Sequence, residues 1–461
     1  MRNYGDSSAI AALASQGAIA VIRMSGNHTL EMLAKVFSRP EALLNSPGNS
    51  IVYGWIKDLS GSRIDEVLVS VYRSPRSYTG ENSADISCHG GSAAAKTILE
   101  VLRKAGFEDA LPGEFTFRSF INGKIDLTRS ESVMELVSSR TKTALEYAVK
   151  RLSGALEKEI KAIRDKLLDA VSAAELFLDY PEDEIEDEPF SYRKAAEEAL
   201  EKLKALTVSY NREQLYREGA LAVIAGRPNA GKSSLFNALL NEDRSIVTEI
   251  PGTTRDWIES SVSIKGIPLR LADTAGIRMV SPDTNTAEIE GMNKSISLAE
   301  EADIILYTVD GCLGLCKEDQ NFISDHKNHF LIVVWNKIDL LETLNIPQQL
   351  PNVSIIPVSA VTGKGLEELC SSIFDLLHQK KSIDDTISGT IIGLGTQRQK
   401  DLTEKAVSLL EEALLMEENN EPLELVSPIL RESLNALGEI TGEISTADIL
   451  ETMFSRFCLG K

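Results

Sequence analysis

Hydrophobic periodicity divides the chain into stretches of different character. Over residues 1–120, short apolar runs at Ala18–Met24, Val67–Tyr72 and Ala84–Cys88 alternate with helical patterns at Thr29–Phe37 and Ala93–Ala105, punctuated by glycine and proline. This alternation predicts a compact α/β or α+β domain. From Leu127 to Leu178 the period changes. Val133, Leu136, Val137, Ile160, Ile163 and Leu167 recur three and four apart, which predicts long amphipathic helix, and another helix follows to about Arg217. Strand and helix alternate again from Glu218 to about Lys381, with strands at Leu221–Ala225, Val262–Ile264, Leu269–Ala272, Ile304–Val309, Phe330–Val334 and Ile355–Val358. That is the pattern of a doubly wound, mostly parallel sheet. Gln397–Met416, Leu423–Leu437 and Ala447–Phe454 return to the helical period. The economical organisation is a multidomain α/β protein with an N-terminal domain over 1–120 and a discontinuous helical bundle over 121–217 and 383–461. An α/β domain over 218–382 is inserted into the bundle, since the two ends of such a domain lie close enough to permit insertion.

Length agrees with about three domains, because 461 residues exceed one core. The formal charge of −21, from 69 acids against 48 bases, argues against a broad nucleic-acid-binding face, so any RNA contact is local or shared with a partner. Asp179 to Glu188 holds seven acids in ten residues and reads as a solvated linker. Five cysteines, unevenly spaced, fit a reducing cytoplasm better than a disulfide framework. The alanine-rich stretch from Ala9 to Met24 is broken by Ser15-Gln16-Gly17 and ends near Arg23, so it lacks the compact apolar centre of a signal peptide. No run reaches the ~18 apolar residues of a membrane span.

The strongest chemical signal is Gly226-Arg-Pro-Asn-Ala-Gly-Lys-Ser233, set between the strand Leu221–Ala225 and a helical pattern over Leu235–Leu240. A strand that delivers the chain to such a turn points backbone N–H groups at phosphates. Lys232 then reaches the β and γ phosphates and the Ser233 hydroxyl holds Mg²⁺. Asp273-Thr-Ala-Gly276 follows the strand Leu269–Ala272, where Asp273 suits a Mg²⁺-bound water and the Gly276 N–H senses the γ-phosphate. Asn336-Lys-Ile-Asp339 names the base, because one carboxylate accepts from both the ring N–H and the amino group of guanine, a donor pair adenine lacks. Ser359-Ala360 completes the set, with the Ala360 N–H directed at the guanine carbonyl. The nucleotide is therefore GTP or GDP. The switch between loop and Asp273 is Ile246-Val-Thr-Glu-Ile-Pro-Gly-Thr-Thr-Arg-Asp256; either threonine suits Mg²⁺, and position assigns it to Thr254. Ile277 stands where many small GTPases carry the glutamine that orients the attacking water.

With these residues assembled, the chain resembles the bacterial tRNA modification GTPase family (MnmE, also called TrmE) from end to end. The marks are the phosphate loop, Pro251-Gly-Thr-Thr-Arg-Asp256, the insertion in a helical domain, Pro112-Gly113-Glu114-Phe115 and the terminal Phe457-Cys-Leu-Gly-Lys461. The resemblance implies a homodimeric GTPase that acts with a partner protein dependent on FAD and NADH, in a heterotetramer or larger complex. Together they add an aminomethyl-type group, such as carboxymethylaminomethyl, to carbon 5 of the wobble uridine of certain tRNAs. It also implies potassium held by Asn229, the backbone carbonyls of Thr248 and Ile250, and Thr253, where a desolvated cation does the work of an arginine finger. The water falls to Glu288, with Glu290 as the alternative because the second switch, Ile277–Ala287, is slightly long and carries Pro282. On this reading the nucleotide is contacted by Asn229, Ala230, Gly231, Lys232, Ser233 and Ser234. The first switch adds Thr248, Glu249, Ile250, Pro251, Gly252, Thr253 and Thr254, and the second Asp273, Thr274, Ala275 and Gly276. Asn336, Lys337, Asp339, Ser359 and Ala360 surround the base. The N-terminal domain resembles one-carbon folate-binding domains. Its implied ligand is 5-formyltetrahydrofolate or a related one-carbon tetrahydrofolate, on Arg23, Glu81, Lys124 and the terminal Lys461, and the same domain is expected to dimerise. A carboxylate suits the pterin's amino and ring N–H groups, and basic groups suit the glutamyl tail.

Other signals weigh less. Cys312, Cys316, His326 and His329 miss the usual zinc-finger gaps. Cys88 and His89 are neighbours on a strand and point to opposite faces, which favours a structural role. Cys458 does not fit a prenylation ending, given Gly460 and Lys461. It is either a thiol of the modification chemistry or an inert tail residue. The rivals to the modification reading are a ribosome-assembly GTPase switch and a pure scaffold for the partner's chemistry. The flanks favour modification over the first, since they show no RNA-binding module or basic appendage.

Overall fold

Alternating apolar residues build a six-stranded sheet in the N-terminal part of the chain. The computed structural model describes Tyr4, Ser8, and residues 9–179, 192–242, 259–273, 302–343, 353–380, 393–445, 447–458 and 460. The strands are β1 (Ile10–Ser15), β2 (Ile19–Ser25), β3 (Ser50–Lys57), β4 (Arg63–Tyr72), β5 (Ser83–His89) and the short β6 (Glu108–Asp109), in the order β3-β4-β5-β2-β1-β6. The alanine-rich stretch from Ala9 is a β-hairpin in which Ile10 faces Ser25 and Leu13 faces Ile22. One sheet face, carrying Ile22, Met24, Val67, Val69, Val71 and Ile86, is covered by α1 (Thr29–Ala34), α2 (Pro40–Leu44) and α3 (Ser92–Ala105) through Leu30, Leu33, Leu43, Ile98 and Leu102. Next comes α4 (Glu114–Ile121), an eight-residue helix with six buried residues.

The helical stretch predicted over Leu127–Leu178 is three helices, α5 (Leu127–Ser138), α6 (Lys142–Leu152) and α7 (Ala155–Asp179). The breaks have local causes. Asp126 opens α5 by accepting from the N–H groups of Thr128 and Arg129 at 3.2 and 3.1 Å. The Thr141 hydroxyl accepts from the Ala144 N–H at 3.2 Å at the start of α6, and Gly154, at φ +87°, separates α6 from α7. After α8 (Arg193–Glu218) the second sheet begins, with β7 (Ala220–Gly226), β8 (Glu259–Ile264), β9 (Ile267–Asp273), β10 (Ile304–Asp310), β11 (Leu331–Asn336) and β12 (Ser354–Pro357). Its order is β12-β11-β10-β7-β9-β8; all neighbours are parallel except the β8–β9 hairpin. Apolar side chains fill both faces, which is why β10 and β11 read as continuous hydrophobic runs. The helices α9 (Lys232–Glu242), α10 (Lys317–Asp325) and α11 (Leu366–Lys380) belong to this α/β layer.

The last helices are α12 (Gln397–Glu418), α13 (Leu423–Thr441) and α14 (Ala447–Phe454). α13 packs along α7, with Ile160, Ile163, Leu167, Leu430, Leu437 and Ile440 buried and ion pairs Arg164–Glu443 and Arg431–Glu175 at the edges. The chain forms two compact units. One comprises Met1–Met134, Arg151–Ala199 and Lys405–Lys461, and the other Glu135–Lys150 and Leu200–Glu404, so the chain crosses between them inside α5, α6, α8 and α12.

In the first unit, the C-terminal segment is bound to the N-terminal domain by a cluster of Tyr4, Phe117, Leu127, Leu450, Phe454 and Phe457. Phe454 is fully buried and meets Phe117 edge-on at 5.3 Å between centroids. Replacing Phe454 by alanine is expected to destabilise this unit by about 3–5 kcal/mol. Urea unfolding followed by the fluorescence of Trp55 reads that loss, and an unchanged midpoint would show that the tail adds nothing to stability.

Candidate functional site: the phosphate loop and the polar N-terminal site

The phosphate loop is shaped by backbone that leaves no room for side chains. Gly226 closes β7 at φ +138°, and a Cβ there would lie 2.2 Å from the Thr308 carbonyl oxygen on β10. Gly231 (φ +94°) precedes α9, and its Cβ would lie 2.2 Å from Asn336 Nδ2. Between them Asn229 takes φ +63°, an uncommon conformation that asparagine tolerates. Lys232 is buried and donates to the Gly226 and Arg227 carbonyls at 2.9 and 2.8 Å, so its ammonium lies at the mouth of the turn. Asn229, Ser233 and Ser234 are exposed, while Ala230 packs inward. This is an anion site at a helix N-terminus with a fixed cation.

The base-side residues lock onto this loop. Asn336, buried at the end of β11, donates from Nδ2 to the Ala230 carbonyl (3.0 Å) and accepts on Oδ1 from the Ala360 N–H (3.1 Å). The Ala360 N–H, expected to face the guanine carbonyl, is thus held by Asn336. Lys337 donates to the Asn229 carbonyl at 2.8 Å and pairs with Asp310 at 2.6 Å. Asp339 accepts from the Ser359 hydroxyl at 2.6 Å. Asp310 went unnoticed in the sequence, although a lone acid closing the apolar run Ile304–Val309 at the ligand-bearing end of a parallel strand was a usable signal. Burial disfavours its charge, but the Lys337 ammonium and the Cys312 N–H hold its carboxyl below the usual carboxylate range. Arg227 is anchored by a 3.1 Å ion pair to buried Asp319 of α10, which also accepts from Tyr307.

Of the remaining nucleotide assignments, Thr248, Glu249, Ile250, Pro251, Gly252, Thr253, Thr254, Thr274, Ala275, Gly276, Ile277, Glu288 and Glu290 lie outside the described residues, as do the Asp273 side chain and the acidic run after Asp179. Ser233 and Asn229, both exposed, are therefore the described members of the donor sets assigned to Mg²⁺ and potassium.

In the other unit, Arg23 and Lys124 meet the loop from Pro75 to Asn82, which carries Glu81. Arg23 on β2 pairs with Asp85 of β5 at 3.2 Å and donates to the Gly460 carbonyl at 3.3 Å, so the last residues of the chain reach β2. Its guanidinium lies 5.9 Å from the ring centroids of Tyr78 and Phe115. The Gly113 N–H donates to the Cys458 carbonyl at 3.3 Å, and Gly113, at φ +67°, has no space for a Cβ beneath Phe457. Cys458 itself is exposed; Lys461 lies outside the described residues. Glu81 accepts from Ser25 at 2.8 Å and from Arg118 at 3.1 Å. Lys124 is exposed and donates to the Pro75 carbonyl at 2.9 Å. Arg118 was not singled out, and its second partner Glu114 only as part of Pro112-Gly113-Glu114-Phe115, yet an i,i+4 acid–base pair within the apolar Glu114–Ile121 helix signals a buried ion pair.

The weaker signals resolve structurally. Cys88 is buried on the core side with its thiol pushed up by burial, whereas His89 points outward and meets Asp65 at 2.7 Å. The Cys316 N–H is capped by Asp319 at 2.9 Å, and His326 stacks on Phe322. No cluster of three or more metal-binding side chains occurs among the described residues.

Residues 7–124 match the family model for the N-terminus of the GTP-binding protein TrmE, and residues 127–458 match the MnmE helical domain model. The chain belongs to the MnmE family of tRNA modification GTPases. The tRNA modification GTPase MnmE of Treponema denticola is 40% identical over 98% of this chain and 97% of its own. The Carboxydothermus hydrogenoformans MnmE is 39% identical over 98% of each. An Era variant of Aquifex aeolicus with GDP and aluminium fluoride aligns at 27% identity over 41% of this chain and 67% of its own, with a TM-score of 0.29. As a member of the MnmE family, the chain is a GTP hydrolase of tRNA modification with an N-terminal α/β domain, a helical domain and a P-loop GTPase domain. No described helix is long and apolar enough to cross a membrane.

The Gly231–Asn336 approach yields a test. Gly231→Ala adds strain of about 1–3 kcal/mol and is expected to weaken GTP binding by about tenfold or more. Gly91→Ala, where an added methyl meets nothing within 4 Å, leaves it unchanged. Titration with a fluorescent GTP analogue distinguishes them.

Proposed function

We propose that the chain is a potassium-stimulated GTPase that works with an FAD- and NADH-dependent partner to modify carbon 5 of the wobble uridine in certain tRNAs. In this reading the added group is aminomethyl or carboxymethylaminomethyl, its carbon comes from a one-carbon tetrahydrofolate such as the 5-formyl form, and the work is done in the cytoplasm. The relatives' name, tRNA modification GTPase, supports the substrate class. The observation that supports the folate part best is the meeting of Arg23 with the Gly460 carbonyl. It brings the segment bearing exposed Cys458 to the strand whose Ser25 holds Glu81.

In the GTPase domain, Lys232 and the N-terminus of α9 bind the phosphates while Asp339 selects guanine. Ser233 and Thr254 would hold Mg²⁺, which neutralises the β- and γ-phosphate oxygens. Asn229, Thr253 and the carbonyls of Thr248 and Ile250 would hold potassium, whose charge stabilises the transition state as an arginine finger does. Glu288, or Glu290 in its place, orients the attacking water, since Ile277 carries no polar group for that task. Folate is read as bound by Glu81 at the pterin and by Arg23, Lys124 and Lys461 at the glutamyl end. Homodimerisation fits the edge strand β3, where Ile51 and Tyr53 are exposed beside Leu68 of β4.

Two measurements test this. GTP turnover is expected to be faster in potassium chloride than in sodium chloride at equal ionic strength by at least about tenfold, within the ~10³–10⁵ an arginine finger supplies. Equal rates would sink the potassium site. Calorimetry is expected to show 5-formyltetrahydrofolate binding, lost by at least about tenfold in Arg23→Ala, since a charge-assisted contact is worth about 1.5–3 kcal/mol. No binding to the unaltered protein would favour a GTPase switch without folate chemistry.

A further inference from the structure

Glu81 is a carboxylate held from behind by a buried network. Arg118, 5% exposed, donates to both Glu81 oxygens at 3.1 and 3.3 Å, to Glu114 Oε1 at 2.8 Å and to the Ser8 carbonyl at 2.9 Å. Glu114 is fully buried and its other oxygen accepts from the Leu111 N–H at 2.7 Å. Ser25 donates to Glu81 Oε2 at 2.8 Å and lies within 3.0 Å of the Thr79 and Ser83 hydroxyls, all three buried. The seat of the guanidinium is built into the backbone. Gly26 has φ +127°, and a Cβ there would lie 2.8 Å from the Ser8 carbonyl oxygen and 3.0 Å from Arg118 Nη1.

One guanidinium here faces two carboxylates. Of the two only Glu81 reaches solvent, with 23% of its side chain exposed. Glu114 holds one arm of the Arg118 fork while the other arm fixes the orientation of Glu81. A fixed carboxylate with one side open is an acceptor for two adjacent N–H groups on a planar edge. A freely rotating surface glutamate would have to be ordered at the ligand's expense.

We propose that Arg118 and Glu114, with Ser25, are positioning residues that preset Glu81 to receive the 2-amino-pyrimidinone edge of a pterin. This rests on the folate reading of Glu81. Arg23 lies two residues before Ser25 on the same face of β2, about 7 Å along the strand, so cation and acceptor line one face of the sheet. The network thereby governs recognition of the ring and leaves recognition of the tail to Arg23.

The test compares calorimetric affinities for 5-formyltetrahydrofolate and its 2-desamino analogue. The unaltered protein is expected to favour the 2-amino compound by about tenfold or more. Ser25→Ala should cut that preference about fivefold, and Arg118→Gln should bring it to near unity, with affinity for the desamino analogue little changed in both. Circular dichroism checks the fold. Should Arg118→Gln not fold, Ser25→Ala and Glu114→Gln carry the test. A purely structural role would weaken both ligands alike. That result, or an unchanged preference in the folded variants, overturns the inference while the folate reading stands. If neither compound binds the unaltered protein, the folate reading falls and this inference with it.

Discussion

The nucleotide site depends on how closely two stretches of backbone approach their neighbours. Gly226 passes the Thr308 carbonyl and Gly231 passes Asn336 at separations that no side chain tolerates. This contact makes the phosphate loop and the base loops one object. Because Gly231 lets Asn336 come close, a single buried amide holds the Ala230 carbonyl on one side and the Ala360 N–H on the other. Lys337 repeats the arrangement with the Asn229 carbonyl and Asp310. The phosphate loop and the turns after β11 and β12 are therefore spaced by short hydrogen bonds from consecutive residues at the end of β11, so a shift in one is felt in the other. The parallel sheet makes this possible by ending β7, β10, β11 and β12 on the same side.

The N-terminal site uses a different device. Among the described residues no glycine-rich turn surrounds Arg23 and Arg118; instead these charged side chains are fixed by several partners each. Arg23 is shared by Asp85, the Gly460 carbonyl and two aromatic faces, and Arg118 by two carboxylates and a carbonyl. Burying the aromatic cluster around Phe454 carries the end of the chain to this place, so packing over hundreds of residues of sequence separation decides where Cys458 sits. Removing the packing would release the carbonyls of Cys458 and Gly460 from Gly113 and Arg23 together.

These two devices were not equally legible in the sequence. Strands of the GTPase domain and the order of its motifs could be read because each motif follows an apolar run and is local: Gly226 to Ser233 and Asn336 to Asp339 carry their chemistry within a few residues. What escaped was pairing at a distance. Asp310 acts on Lys337, Asp319 on Arg227, and Arg118 on Glu81, and no periodicity links these positions. The β1–β2 hairpin was obscured because alanine is a poor strand former, so Ala9–Ala14 carries little strand signal until Ile10 and Leu13 are seen paired with Ser25 and Ile22. The division of Leu127–Leu178 into three helices turned on Thr141 and Gly154, a cap and a left-handed glycine that an amphipathic pattern runs straight over.

Charge balance ties the two sites to the partner question. The chain carries −21 overall, yet several of the cations at its sites are paired internally: Lys337 with Asp310, Arg227 with Asp319, Arg23 with Asp85, Arg118 with Glu114 and Glu81. A cation already paired releases few counterions when a polyanion approaches, so these residues suit compact anions such as phosphates or a glutamyl carboxylate far better than an extended RNA backbone. An acidic protein with internally compensated cations gains little affinity for tRNA from bulk electrostatics. What contact the chain makes with tRNA must then come from a few exposed bases.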